Sequence, residues 1–149
     1  MKKILFICHG NICRSPMAEF VMKHIVKNAG CENDFEIASK AANNDALGCD
    51  MHKGSKEMLH SHGVPFEKRE AKKMSTRDYD YYDALIAMDD ENLFYMKQIA
   101  GGDAQGKMHK LLEYAGLSRD VRDPWYTHNF SETWDDINAG CLALFEKLK

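Results

Sequence analysis

The sequence predicts an α/β fold: a three-layer α/β/α doubly wound domain with a central four-stranded parallel sheet. Three observations carry that prediction. Ile4 to Cys8 and Ala84 to Met88 are unbroken apolar runs, the pattern of strands covered on both faces. Helical patterns stand between and after the strands, and that alternation implies parallel pairing with right-handed crossovers. The 149 residues suit one domain with a sizeable core, and no repeat, low-complexity tract or linker divides them. Residues 1–149 are therefore read as a single domain.

Each element has its own local reason. Ile4 to Cys8 forms the first strand. Pro16 to Ala29 follows as an amphipathic helix with Ala18, Val21, Ile25 and Ala29 at helical spacing. Pro16 suits its first position and Gly30 its stop. Phe35 to Ser39 is a weaker strand, and Ser55 to His62 a short helix ended by Gly63. Ser75-Thr76-Arg77-Asp78 resembles a capping box and starts another helical turn. Ala84 to Met88 is an interior strand, Asp90 to Ala100 a helix closed by Gly101-Gly102, and Lys107 to Glu113 the fourth strand. Ser131 can cap the last helix, where Trp134, Ile137, Cys141, Leu144 and Leu148 share one stripe.

The bulk properties exclude several classes. Hydrophobic residues at 44% and charged residues at 29% are ordinary for a globular protein. A net charge of -3 gives no electrostatic reason to expect nucleic acid or an anionic membrane as partner. The apolar run after Met1-Lys2-Lys3 is too short for a signal peptide core or a membrane span, so a cytoplasmic location is expected. Five irregularly spaced cysteines do not make a disulfide framework, and reduced thiols fit the cytosol. Cys8 and Cys13 lack a matching Cys/His pair at zinc-ligand spacing. His60 and His62 point to different faces of a helix and read as surface or cap residues. No metal and no cofactor are expected. Gly101 to Met108 nearly matches a nucleotide-binding loop. Met108 stands where a magnesium-binding hydroxyl is required, and the stretch follows a helix instead of a strand, so that reading is rejected.

In a doubly wound sheet the ligand crevice lies at the carboxyl ends of the strands. The loop there is Cys8 to Ser15, CHGNICRS. A loop between a strand and a helix N-terminus turns backbone N–H groups inward, where they and the helix form an anion cradle. Gly10 and Asn11 are the residues able to take the positive φ of such a turn. Arg14 supplies a planar fork for phosphate oxygens. A helix N-terminus and a nearby cation favour the thiolate of a cysteine, here Cys8, and Ser15 can donate a hydrogen bond to that sulfur. The design suits thiolate attack on phosphorus. Such chemistry also needs a carboxylic acid for the leaving group. VRDPWYTHNF, Val121 to Phe130, offers Asp123 before Pro124, with Trp125 and Tyr126 as an aromatic wall.

These motifs resemble the low-molecular-weight protein tyrosine phosphatases. The family pattern C-x-G-N-x-C-R-S-P corresponds to Cys8 to Pro16, and D-P-aromatic-aromatic to Asp123 to Tyr126. The resemblance implies Cys8 as nucleophile, Arg14 as phosphate ligand, and Asp123 as the acid that later activates water. His9, Gly10, Asn11, Ile12, Cys13 and Ser15 would complete the substrate-binding loop, with Trp125, Tyr126 and Asp45 on the cleft walls. Ser39, Asp89 and Asn92 match positions that support the loop. Cys13 matches a second cysteine that traps oxidised Cys8 as a reversible disulfide. A phosphotyrosine-containing protein or peptide is the implied substrate, inorganic phosphate or a similar oxyanion the product or inhibitor, and a monomer the implied state.

Two positions depart from the family. Asp45 stands where many members place an aromatic residue on the cleft wall, and Arg69 or Lys68 replaces a histidine that supports the cradle. Three alternatives are weighed. In the protein-arginine phosphatase branch the position before the second cysteine resembles threonine where this chain has Ile12, and the larger apolar residue favours a flat aromatic ring over a guanidinium. An arsenate reductase needs further redox cysteines, and none lies between Cys49 and Cys141. A non-catalytic phosphate-binding module would need neither Cys8 nor Asp123.

Overall fold

In the computed structural model, which describes residues 1–149, four strands form one parallel sheet: β1 (Lys2–Cys8), β2 (Phe35–Ala41), β3 (Ala84–Ala87) and β4 (Met108–Lys110). Their order is β2-β1-β3-β4. Six helices accompany them: α1 (Arg14–Asn28), α2 (Lys53–Ser61), α3 (Thr76–Tyr81), α4 (Asp90–Ala100), α5 (Pro124–Thr127) and α6 (Phe130–Leu148). The architecture is α/β, three layers deep, with a four-stranded parallel sheet.

The alternation of side chains along β1 and β3 decides which helices lie where. Ile4, Phe6, Cys8, Ile86 and Met88 face one way and pack with α1, α2 and α6. Leu5, Ile7, Leu85 and Ala87 face the other way, against Tyr79 and Tyr82 around α3 and Met96 of α4. Ile4 to Ile7 are completely buried, which explains why that stretch is apolar at every position. The chain passes from β1 to β2 on one side, and β3 then pairs on the other side of β1. This strand-order reversal puts the loop after β1 in the crevice of the sheet.

Beyond shifts of one or two residues at strand ends, with β1 starting at Lys2 and β2 running to Ala41, four boundaries differ from the sequence-based expectation for identifiable reasons. Helix α1 starts at Arg14, two residues before Pro16. Proline still fits there, because an N–H in the first turn has no intrahelical acceptor. Helix α2 starts at Lys53, capped by His52, whose Nδ1 accepts from the Gly54 N–H at 2.9 Å. Ser55, the expected start, is fully buried and donates its hydroxyl to the Cys13 carbonyl at 3.0 Å. The fourth strand stops at Lys110, and Leu111–Ala115 winds into a 3-10 turn. Leu111 and Leu112 are apolar because they are buried beside α6, not because they extend the sheet. Leu111 lies so close to α6 that a Cβ on Gly140 would fall 2.4 Å from its Cγ. Helix α6 is capped by Asn129 instead of Ser131, with Asn129 Oδ1 accepting from the Glu132 N–H at 3.0 Å.

Other expectations stand. The Ser75–Asp78 capping box is formed at α3. Gly101 ends α4 at φ 76°. His62 caps the C-terminus of α2 and stacks on Trp134 with ring centroids 4.1 Å apart. No helix is long and apolar enough to cross a membrane.

Candidate active site

Cys8 ends β1, and residues 9–13 arch from it to α1. Three carbonyls of this arch, and that of Cys8 before it, are taken by neighbours. Cys8 and His9 accept from the N–H groups of Ala42 and Asn43, Ile12 from His52, and Cys13 from the Ser55 hydroxyl. The N–H groups of residues 9–13 donate to nothing in the protein. Carbonyls held outward and amides left unpaired are the backbone arrangement of an anion cradle. The positive φ that the turn needs is taken by Asn11 alone, at 59°. Gly10 does not use its conformational freedom here.

Asn11 is completely buried, and its amide orders the proton positions of a network. Glu19 Oε1 accepts the Ser39 hydroxyl at 2.7 Å, so Ser39 Oγ is free to accept. Asn11 Nδ2 donates to Ser39 Oγ at 2.9 Å and to Ser15 Oγ at 2.8 Å. Ser15 accepts from Asn11 and keeps its own hydrogen free, so toward a Cys8 thiolate, which can only accept, it is the donor across the 3.0 Å to Sγ. On the other side Asn11 Oδ1 accepts from Arg69 Nη2 and from the Lys72 N–H. Of the two candidates to replace the cradle's histidine, Arg69 therefore reaches the loop, and Lys68 stays exposed. Burial pulls the Arg69 guanidinium down in pKa, and Glu19, Asp50 and Cys8 only partly oppose that.

An Asn11→Ala variant tests this scaffold. It removes four side-chain hydrogen bonds and places a Cβ residue without local compensation at positive φ. A loss of about 2–4 kcal/mol in unfolding free energy is expected from urea titration. Asn11→Gly, which relieves only the backbone strain, should recover about 1 kcal/mol of it.

Arg14 is 1% exposed and spans the site. Nη1 donates to Asp89 Oδ2 at 2.7 Å and to the Val121 carbonyl at 2.8 Å, and Nη2 to Asp123 Oδ2 at 3.3 Å. Burial pulls the guanidinium down, but Cys8, Asp89 and Asp123 outweigh it, so its pKa is raised. Its Nε is buried without a partner. Asp89 caps α4 by accepting from the Asn92 N–H at 2.7 Å, and Asn92 Oδ1 accepts from the Met88 N–H. Asp123 caps α5, with Oδ1 accepting from the Trp125 N–H at 3.0 Å.

These elements enclose a cleft of about 210 Å³ lined by Cys8, His9, Gly10, Ile12, Cys13, Arg14, Asp45, Ala46, Asp123, Trp125 and Tyr126. Trp125 and Tyr126 are exposed at its mouth, and Cys8 and Cys13 are buried at its floor. Burial and the neighbouring Cys8 push the Cys13 thiol up to about 12. Ser39, Asp89 and Asn92 do not line the cleft and act behind it.

Several participants escaped sequence reasoning. Glu19 stands one helical turn after Ser15, and that spacing was the available signal. Asn43 and Glu91 meet His9 at the rim, from segments far apart in the chain. The Val121 carbonyl is backbone and carries no residue signature.

A family model described as low molecular weight phosphotyrosine protein phosphatase matches residues 3–149. The chain is 36% identical to the low molecular weight protein-tyrosine-phosphatase YfkJ of Bacillus subtilis, covering 100% of this chain and 97% of that protein. Against the YfkJ crystal structure the TM-score is 0.96, over 99% of this chain and 94% of the other. Identity to the Staphylococcus aureus phosphatase PtpA is 35%, with coverage of 98% and 93%. The crystal structure of a Drosophila arginine phosphatase also superimposes, at 26% identity and a TM-score of 0.89, over 100% of this chain and 98% of that one. Anion cradle, cysteine, arginine and whole-chain similarity converge, and the chain belongs to the low molecular weight phosphotyrosine protein phosphatase family, whose members are phosphatase enzymes.

Proposed function

We propose that residues 1–149 act as one phosphatase domain that hydrolyses phosphotyrosine in proteins through a phosphocysteine intermediate. The observation that carries this reading is the unpaired set of amides at residues 9–13, facing the same cleft as Cys8 and Arg14. An incoming phosphate dianion accepts from these amides and from Arg14, including the otherwise unpartnered Nε. It also competes with Asp123 for Nη2, which releases that carboxyl toward the leaving group.

Cys8 sulfur attacks phosphorus, the P–O bond to the phenol breaks, and Asp123 gives its proton to the departing oxygen. The carboxylate then takes a proton from water as that water attacks phosphorus. The S–P bond breaks, inorganic phosphate leaves, and the thiolate returns to its hydrogen bond with Ser15. Trp125 and Tyr126 flank the ring of the substrate. Asp89, Asn92 and Ser39 keep Arg14 and the loop in position. No step requires a metal or cofactor. Peroxide oxidation of Cys8 to a sulfenic acid, followed by condensation with the Cys13 thiol and loss of water, gives a reversible off state. A cytoplasmic monomer is the setting we propose.

A second reading, a protein-arginine phosphatase, is favoured by the close superposition on the Drosophila enzyme. Ile12 is the residue that separates the two, because its half-buried side chain lines the cleft. Matched phosphotyrosine and phosphoarginine peptides decide between them. The natural chain should hydrolyse phosphotyrosine at least about tenfold faster in kcat/KM, and Ile12→Thr should narrow that ratio. A phosphoarginine preference in the natural chain would overturn the first reading.

A further inference from the structure

The cleft rim carries a histidine held between two carboxylates. His9, on the loop after β1, contacts Asp45 Oδ2 through Nε2. Its Nδ1 lies 3.0 Å from Asn43 Nδ2 and 3.4 Å from Glu91 Oε1. Asn43 and Asp45 follow β2, and Glu91 is in the first turn of α4, so three separate segments meet here. The Asp45 and Glu91 side chains are 72% and 64% exposed and reach into solvent around the entrance. One imidazole cannot neutralise both.

The remaining charged or ionisable groups lining the cleft are Cys8, Cys13, Arg14, Asp123 and the Tyr126 phenol. Arg14 is committed to Asp89, Asp123 and the phosphate position, so the rim has no permanent cation of its own. Neutral His9 keeps its Nε2 hydrogen on Asp45, and Nδ1 accepts from Asn43. Protonated His9 turns a second N–H toward Glu91. Burial pulls the ring down in pKa, but the two carboxylates outweigh it, and the ring titrates above its ordinary value of 6.5. Protonation therefore half-neutralises the rim on the acidic side, and the rim carries two unbalanced negative charges on the alkaline side.

We propose that Asp45 and Glu91 form a subsite for a lysine or arginine side chain next to the phosphorylated residue of the substrate, with His9 as the resident cation that this side chain displaces. The inference rests on the phosphotyrosine reading above and names the substrate class within it. An aromatic residue at position 45 would offer a ring face there, whereas Asp45 and Glu91 offer a bidentate site for a guanidinium.

The test uses three phosphotyrosine peptides of equal length, flanked by arginine, glutamine or glutamate. On the alkaline side of the His9 titration, the arginine peptide should exceed the glutamine peptide in kcat/KM by about threefold to tenfold, as expected for partly exposed ion pairs. The ratio should shrink near pH 6, where protonated His9 occupies the carboxylates, and should fall with added salt. Asp45→Asn and Glu91→Gln should each lower the ratio through KM. His9→Gln should keep the preference and abolish its pH dependence. If a variant fails to fold by thermal melting, the salt and pH series on the natural chain still decides. Equal kcat/KM for the three peptides at both pH values overturns this inference and leaves the phosphotyrosine reading standing. No hydrolysis of any peptide overturns both.

Discussion

Cys8→Ser is expected to lower kcat on an aryl phosphate by at least about four orders of magnitude, while leaving the thermal unfolding midpoint nearly unchanged. The size follows from the role proposed for the sulfur. In that role it forms the covalent bond to phosphorus, and the unpaired amides of residues 9–13 and the Arg14 fork would hold phosphate against that single atom. A serine hydroxyl is a far weaker nucleophile, and nothing near position 8 serves as its base. The nearest side-chain partner is Ser15, the donor toward the Cys8 thiolate. Folding should survive because the residue is small, its neighbours Ile7 and Ala41 are set by the sheet, and serine keeps a partner for Ser15. Phosphate binding should survive too, since cradle and arginine are untouched. The checks are steady-state kinetics, calorimetry and isothermal titration with inorganic phosphate. A variant that turns over at more than about one-hundredth of the natural rate would end the phosphocysteine mechanism.

Asp123→Ala is expected to lower kcat by about a hundredfold to ten-thousandfold on phenyl phosphate and by much less on an activated aryl ester. A phenol that leaves as a poor anion needs the proton, and a stabilised phenolate does not. The geometry supports Asp123 for this role because it is the cleft carboxyl in contact with Arg14, beside the phosphate position. Asp89 also reaches Arg14, but it stands behind the guanidinium and caps α4. Removing Asp123 also frees Arg14 Nη2 and the Trp125 N–H, so KM for the activated ester should stay level or fall. Equal losses on good and poor leaving groups would take the acid role from Asp123.

Several features were legible along the chain because their causes are local. The apolar run of β1 reflects burial on both faces, and its end at Cys8 starts the loop that follows. Helix α4 could be bounded to the residue, since its aspartate cap and its left-handed glycine stop are adjacent signals. The fourth strand was over-extended because Leu111 and Leu112 look like strand residues. Their burial comes from α6, and an apolar residue does not announce which neighbour covers it. The starts of α2 and α6 were misplaced for a related reason. Several residues in each stretch can cap, and tertiary contacts chose His52 and Asn129 while Ser55 was drawn to Cys13.

By itself, then, the amino-acid sequence determined the reaction-bearing loop, the strand that launches it and the helix that receives it. C-x5-R-S needs only eight consecutive residues, Cys8 to Ser15, to bring sulfur, amides and guanidinium together. Tertiary structure alone decided how that loop is tuned. Glu19 and Ser39 hold the Asn11 amide that donates to Ser15 beside Cys8, Arg69 reaches Asn11 from behind, and Glu91 joins Asp45 around His9. Those contacts join residues up to 82 positions apart, from His9 to Glu91. Hydrogen bonds and ion pairs act over a few ångströms of space, and only the folded sheet, with β2 and β3 on either side of β1, brings such residues within reach.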